Sequence, residues 1–199
     1  ARPAVKMTRR ILVIDGHPDT RSDRFVHALS GAYREAALAA GHEVRTIVVS
    51  SLDFPMLRSP DDFTGGSPVA AIAAAQADIV WAQHLAIFYP LWLGSMPGIT
   101  KGFFEQCLRP GFAFGEAKRR GMPPQKLKGR SARVVVTMGM PSFFYHVFYR
   151  AHSLRSFERN VLNFCGIRPV RSTVAGAVET KEARERALAA MRRYGAKAT

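Results

Sequence analysis

The sequence predicts an α/β fold: a three-layer, doubly wound sandwich of five parallel strands in the order 2-1-3-4-5, with helices on both faces. Two observations carry that expectation. Five short apolar, β-branched runs alternate with segments of helical spacing, the alternation that crossovers between parallel strands impose. The first and fourth runs are almost wholly apolar, as strands covered on both faces are. With 199 residues, 47% of them hydrophobic, the chain has the material for one core, and a single domain is expected over residues 7–199.

Arg10-Ile-Leu-Val-Ile-Asp15 is the first strand. A polar turn from Gly16 to Arg21 leads to Ser22, read as the N-cap of a helix. That helix has Asp23 in its first turn, apolar positions at Phe25, Leu29, Ala32, Ala36 and Ala39, and a stop at Gly41. Glu43 to Ser50 is the second strand. Asp53 to Ser67, rich in Pro, Asp and Gly, is a loop long enough to be functional or interfacial. Ser67-Pro68 reads as the cap and first proline of an Ala-rich helix to about Ala82. His84 to Tyr89 is the third strand, Pro97 to Leu108 a helix, and Arg133 to Thr137 the fourth strand. Helical spacing resumes from about Tyr149 to Phe164 and stops at Cys165-Gly166. Val170 to Ala175 is the fifth strand. Thr180 to Tyr194 is the last helix, with Glu182 early and Arg192-Arg193 late, as the helix dipole favours.

Composition narrows the function. The net charge is +14, and it is unevenly spread: residues 1–125 carry 14 basic against 11 acidic side chains, residues 126–199 carry 15 against 4. The basic residues are scattered through amphipathic helices and form no dense run with interleaved aromatics, which argues against nucleic-acid binding and for a solvated face or a field that attracts anionic small molecules. The longest strictly apolar run, Val69 to Ala75, is far shorter than a bilayer span, so no stable membrane insertion is expected. Cys107 and Cys165 form no C-x-x-C, and no secretory signal opens the sequence, so a cytoplasmic location is expected. Residues 1–6 read as an unstructured or vector-derived leader ahead of Met7.

In a 2-1-3-4-5 sheet the ligand crevice lies beyond the carboxyl ends of the strands at the switch point, which selects three loops. The first, Gly16 to Arg24, lacks G-x-G-x-x-G. His17, the hydroxyls of Thr20 and Ser22, Arg24 and the free amides of a helix start would suit a phosphate, and an ordinary βα turn with a surface histidine explains the same residues. The second, Tyr89-Pro-Leu-Trp-Leu-Gly-Ser-Met-Pro97, places large apolar residues where a polar loop is expected. It reads either as a cover for a flat heterocycle such as an isoalloxazine ring or as a buried core loop. The third, Thr137-Met-Gly-Met140 to His146, has a glycine that admits close backbone approach, with Tyr145 at the mouth of the pocket. Its aromatics Phe143, Phe144 and Tyr145 equally suit core or dimer contact, and His146 and His152 read as surface or helix residues.

Gly16-His17-Pro with Ser22, Tyr89-Pro-Leu-Trp92-Leu-Gly-Ser-Met-Pro97 followed by Lys101-Gly-Phe-Phe-Glu105, Arg109-Pro-Gly-Phe-Ala-Phe114 and Phe164-Cys-Gly166 together resemble the flavodoxin-like NAD(P)H:quinone oxidoreductases, over Arg9 to Tyr194. The resemblance implies a homodimer with two flavin sites near the subunit interface. NADH or NADPH would reduce the flavin and then leave, and a quinone or another flat acceptor would take two electrons from the same place, a ping-pong cycle. By position, His17, Thr20, Ser22, Asp23 and Arg24 would hold flavin phosphates, and Pro90, Leu91, Trp92 and Leu93 would lie against the ring. Thr137, Met138, Gly139 and Met140 would contact its polar edge, and Tyr145 would assist charge on the reduced ring. Arg184 matches an arginine near the adenine of FAD-binding members, which favours FAD, with FMN as the alternative. Departures are Asp23-Arg24, Leu93 in place of an aromatic, and Ala151 where a histidine often accompanies the tyrosine. An electron carrier of the flavodoxin type and a regulatory subunit of a membrane transporter are the competing readings; the basic surface argues against the former.

Overall fold

The computed structural model describes residues 8–116 and 121–199; the expected leader, residues 1–6, lies outside them. Five strands, β1 (Arg10–Asp15), β2 (Glu43–Val48), β3 (His84–Pro90), β4 (Ser131–Thr137) and β5 (Val170–Ala175), form one sheet in the order 2-1-3-4-5. Every pairing is parallel. Burial tracks position in the sheet: central β3 is buried at every residue, whereas the edge strands β2 and β5 are mostly exposed or half-buried. That gradient is why the central strands read as unbroken apolar runs.

Alternate residues of each strand feed two cores. Leu12, Ile14 and Ile87 face helices α3 (Ala70–Trp81) and α4 (Gly98–Cys107) and the helical segment 152–165, while Ile11, Val13 and Phe88 face α1 (Phe25–Ala39) and α8 (Lys181–Lys197). The end of α1 follows the expected stop: His42 N–H donates to Ala37 O (3.0 Å) and Gly41 N–H to Leu38 O (2.9 Å), with Gly41 left-handed, the double bond of a Schellman cap.

Several boundaries differ from the sequence reading. Helix α1 is capped by Arg24, with no side-chain cap bond, and not by Ser22. The carboxylate of Asp19 accepts from the Arg21 amide and from the Arg21 and Arg24 side chains, which folds residues 19–24 into a turn and delays the helix, so Asp23 precedes its first turn. Ser67 lies two residues ahead of Val69, the N-cap of α3, too far to cap it. Strand β2 ends at Val48 and a 3-10 turn covers Val49–Ser51. The long loop holds a short helix, α2 (Pro60–Thr64), closed by a Ser59/Asp62 capping box. The third crevice loop contains α5 (Ser142–Val147), and the following helix starts at His152, after left-handed Arg150 and Ala151. It runs as α6 (His152–Ser156), a π-helical stretch Phe157–Leu162 and α7 (Asn163–Cys165).

Helices α1 and α8 approach so closely at Gly195 that an added Cβ would lie 2.2 Å from the Tyr33 carbonyl oxygen. Backbone cannot yield as a side chain would. Gly195→Ala is therefore expected to lower stability by about 2–3 kcal/mol, seen in urea unfolding as a lower midpoint at unchanged slope; a midpoint equal to that of the parent would contradict the close approach.

Candidate functional site

Strands β1 and β3 are neighbours that leave the sheet centre in opposite connection directions, and their carboxyl ends, with that of β4, bring the three selected loops to one pole of the sheet.

The first loop is organised by a carboxylate at the end of β1. Asp15 is 2% exposed. Its Oδ1 accepts the His17 amide (3.1 Å), and its Oδ2 accepts the Ser30 hydroxyl (2.6 Å) and faces His27 Nδ1 at 2.7 Å. His27 Nε2 lies 2.8 Å from the Asp19 carbonyl. Both ring nitrogens thus face acceptors, the arrangement of an imidazolium. Burial opposes that charge, but the bonds to Asp15 and Asp19 outweigh it and raise the His27 pKa above the ordinary imidazole value.

His17 is held the other way. The Asp19 amide donates to its Nδ1 at 3.0 Å, which leaves the proton on Nε2. Burial, with the neighbouring His27 charge adding to it, depresses its pKa. The ring stands edge-on to Trp92 with centroids 6.2 Å apart, which joins the first loop to the second. Thr100 Oγ1 donates to the Gly16 carbonyl (2.6 Å) and fastens the same loop to α4.

In the second loop, Trp92 and Ser95 exchange backbone bonds of 2.8 and 3.0 Å across Leu93 and Gly94, both left-handed. This is a two-residue turn of the primed type, and it presents Leu93 fully exposed at its tip. Pro90 and Thr137 are buried at the strand ends beneath, and the Leu91 amide donates to Thr137 O at 2.8 Å.

The second and third loops enclose a cavity of about 440 Å³ lined by Leu91, Leu93, Gly94, Met138, Gly139, Met140, Tyr145, Tyr149 and His152. Tyr145 is not at the mouth, as the sequence reading has it: it is 2% exposed, in the wall, with its hydroxyl 2.8 Å from Ser153 Oγ and accepting the Leu154 amide at 3.3 Å. These two partners draw the phenol inward. His152, read as a surface or helix residue, opens α6 and lines this cavity; His146 is exposed.

The predicted residues therefore fall into groups. Leu91, Leu93, Met138, Gly139, Met140 and Tyr145 share the 440 Å³ cavity. Thr20 and Ser22 line a different one, of about 620 Å³, between β1, β2 and α1. Asp23 is exposed, and the Arg24 guanidinium is engaged by Asp19 at 2.7 Å and Asp23 at 3.7 Å. Arg184 lies over the Phe25 ring, 4.4 Å from its centroid, beside the first loop. Sequence reasoning missed Asp15, His27, Ser30 and Thr100. A carboxylate ending an apolar strand was the one available signal.

The donor set suits a flat heterocycle with an anionic tail. The amides of Leu93, Gly94, Gly139 and Met140 donate to no described protein group, as do those of Ser22, Asp23, Phe25 and Val26 at the start of α1. The residues of the first set line the 440 Å³ cavity, together with apolar side chains, two tyrosines and His152, and the second set lies at a helix N-terminus. No group of three or more His, Cys, Asp or Glu side chains among the described residues is placed to hold a metal ion. Cys107 and Cys165 are buried, and burial pushes the Cys165 thiol up to about 12 and the Cys107 thiol higher still, so neither is a thiolate.

Comparison with known proteins adds the following. A family described as having the flavodoxin-like fold matches residues 9–198. NAD(P)H dehydrogenase (quinone) 1 of Rattus norvegicus is 28% identical over 183 residues, 79% of this chain and 65% of its own. The solved NAD(P)H:quinone oxidoreductase from Methanothermobacter marburgensis superposes with a TM-score of 0.80 at 21% identity, covering 96% of this chain and 98% of that one. An FMN-dependent NADH-azoreductase from Bacillus anthracis str. Ames Ancestor, solved in complex with FMN, gives 0.76 at 14% identity, covering 96% and 99%. The structural matches bear on the fold alone. The chain spans between about half and two thirds of the length of the curated relatives it matches.

Proposed function

The chain belongs to the flavodoxin-like fold family, and on that premise we propose that it is a flavin-dependent NAD(P)H oxidoreductase that reduces quinones or similar flat acceptors by two electrons. The observation that carries the reading is the cavity at the switch point of the sheet, lined largely by apolar residues and including four whose amides have no partner among the described residues. Curated relatives named as NAD(P)H dehydrogenase or oxidoreductase support it.

A bound flavin would supply the redox chemistry, accepting a hydride equivalent from the nicotinamide and releasing two electrons to the acceptor. The chain's part is to bind and orient. Met138 and Met140 offer an apolar face and the amides of Gly139 and Met140 offer donors for the polar edge. The amides at the start of α1, with the His17 Nε2 proton, would hold the phosphate. Tyr145, with its hydroxyl accepting from Leu154 and, in this reading, from Ser153, would stabilise charge at the ring with its own proton. One cavity serving donor and acceptor in turn fits ping-pong turnover. FMN takes precedence over FAD in this reading: the solved azoreductase holds FMN, and Arg184 is stacked on Phe25. Exposed Phe143, Phe144, Phe148 and Tyr149 beside the cavity support the expected homodimer. No helix among the described residues is long and apolar enough to cross a membrane.

Anaerobic titration of flavin-loaded protein with NADH and with NADPH tests the proposal. The bound flavin bleaches with at least one nucleotide and recovers its colour on addition of menadione. Tyr145→Phe lowers the bleaching rate about tenfold, the equivalent of one hydrogen bond to developing charge, with flavin affinity little changed. A protein that emerges colourless from gel filtration with either flavin, or whose flavin stays oxidised under both nucleotides, overturns it.

A further inference from the structure

At the other pole of the sheet, where β3 and β4 begin, we propose a second binding site, for a phosphate-sized oxyanion, built from His84, Ser131, Arg168 and Arg171. A cavity of about 310 Å³ lies there, and its lining includes these four residues, Arg9 and Thr199 but no Asp or Glu. The charged side chains of that lining are all basic, which suits an anion.

The hydrogen bonds fix what is missing. Arg9 Nη2 donates to Ser131 Oγ at 3.0 Å, and Ser131 Oγ lies 2.8 Å from His84 Nδ1. A guanidinium only donates, so the hydroxyl accepts from Arg9 and keeps its own proton free to give to Nδ1; in the proposed site it does so, and the imidazole proton is on Nε2. His84 is 2% exposed, and Nε2 has no partner among the described residues. Folded proteins rarely leave a buried ring nitrogen unpaired, and with the proton on Nε2 an oxyanion in the adjoining cavity would supply the acceptor.

The surrounding charge points the same way. Arg9 is spent on Ala198 O (2.8 Å) and Ser131, and Arg133 on Thr199 O (2.6 Å), Thr173 Oγ1 (2.8 Å) and the face of Tyr194. Arg168 makes one long contact, 3.4 Å to Asn163 O, and Arg171 makes no hydrogen bond to a described residue; both are exposed. Two guanidinium groups are thus free to close on a ligand whose inner oxygen meets His84, the fork geometry that suits phosphate. Burial, reinforced by Arg9, Arg133 and Arg171, holds the His84 pKa down at about 3, so the ring is neutral at physiological pH.

The test is independent of flavin and of turnover. In protein labelled with ¹⁵N-histidine, long-range ¹H–¹⁵N spectra report tautomer and environment for each ring. Potassium phosphate is titrated against potassium chloride at matched ionic strength. The expected result is an Nε2–H tautomer at His84 whose signal shifts saturably with phosphate at low-millimolar concentration. Arg171→Ser and Arg168→Ser each weaken that binding at least fivefold, and Arg171→Lys retains most of it. Being at exposed positions, these variants keep the parental melting temperature in chloride. The proposal is overturned by an Nδ1–H tautomer, by a shift no larger than that in chloride or indifferent to both arginine variants, or by a phosphate response confined to His17 and His27 at the opposite pole.

Discussion

Asp15→Ala destabilises the protein by about 3–5 kcal/mol, the range for removing one partner of a buried ion pair, and abolishes flavin retention. The side chains of Asp15 and His27 are 3% and 16% exposed, so little water is available to replace the lost carboxylate. Alanine leaves the His17 amide without its acceptor and the His27 imidazolium without its carboxylate, and leaves the Ser30 hydroxyl only its longer contact with the His27 carbonyl. The cost depends on pH through His27, whose pKa the folded state raises. A raised base stabilises the fold fully below its unfolded value of about 6.5 and loses that contribution as pH climbs past the folded value. The gap between parent and variant in urea unfolding is therefore wider at pH 6 than at pH 9. A gap under about 1 kcal/mol, or one equal at both pH values, would show that the pair does not organise the loop.

The second large effect is acid lability centred on His84. Its folded pKa of about 3 lies well below the unfolded value of about 6.5, so the unfolded chain takes up the proton first. Stability is intact above pH 6.5 and falls as pH drops toward the folded value, by about 1.4 kcal/mol per unit. At pH 4.5 the loss from this group alone is about 2–3 kcal/mol. His84→Gln removes the titration. In phosphate-free buffer its stability declines less steeply than the parent's between pH 6.5 and 4.5, whatever its starting level. Parallel profiles would falsify the assignment of a neutral, buried ring.

What could be read from the chain beforehand divides along physical lines. The five strands were legible because burial on both faces demands unbroken apolar runs, and their parallel order because the helices between them force crossovers. The start of α1 was not. Ser22 has the right chemistry for a cap, but Asp19 recruits Arg21 and Arg24 and shifts the helix by two residues, a contest among side chains that spacing does not reveal. Helix α5 hid inside an aromatic run that equally suits core or interface. The crevice loops were located by topology; Leu91, Leu93, Met138 and Met140 line one cavity, and Pro90 and Trp92 are not in its lining. The Asp15–His27 pair escaped notice because it spans a strand, a turn and a helix, and neither residue breaks a local pattern. Its place in the loop after the fourth strand puts Tyr145 at the opening, and Ser153, eight residues on, draws it inside.

The corner formed by Leu93 and Gly94 carries one more implication. Left-handed backbone at a leucine, φ 46° here, is disfavoured by about 1 kcal/mol, and asparagine or glycine would sit there comfortably. Leu93 recovers nothing through contact within its own chain, because its side chain stands wholly in solvent. A branched aliphatic group held in that posture lowers its free energy only when something apolar from outside settles onto it. A flat apolar ligand seated in the crevice would cover that side chain, so Leu93 would contribute burial to binding that glycine or asparagine would not.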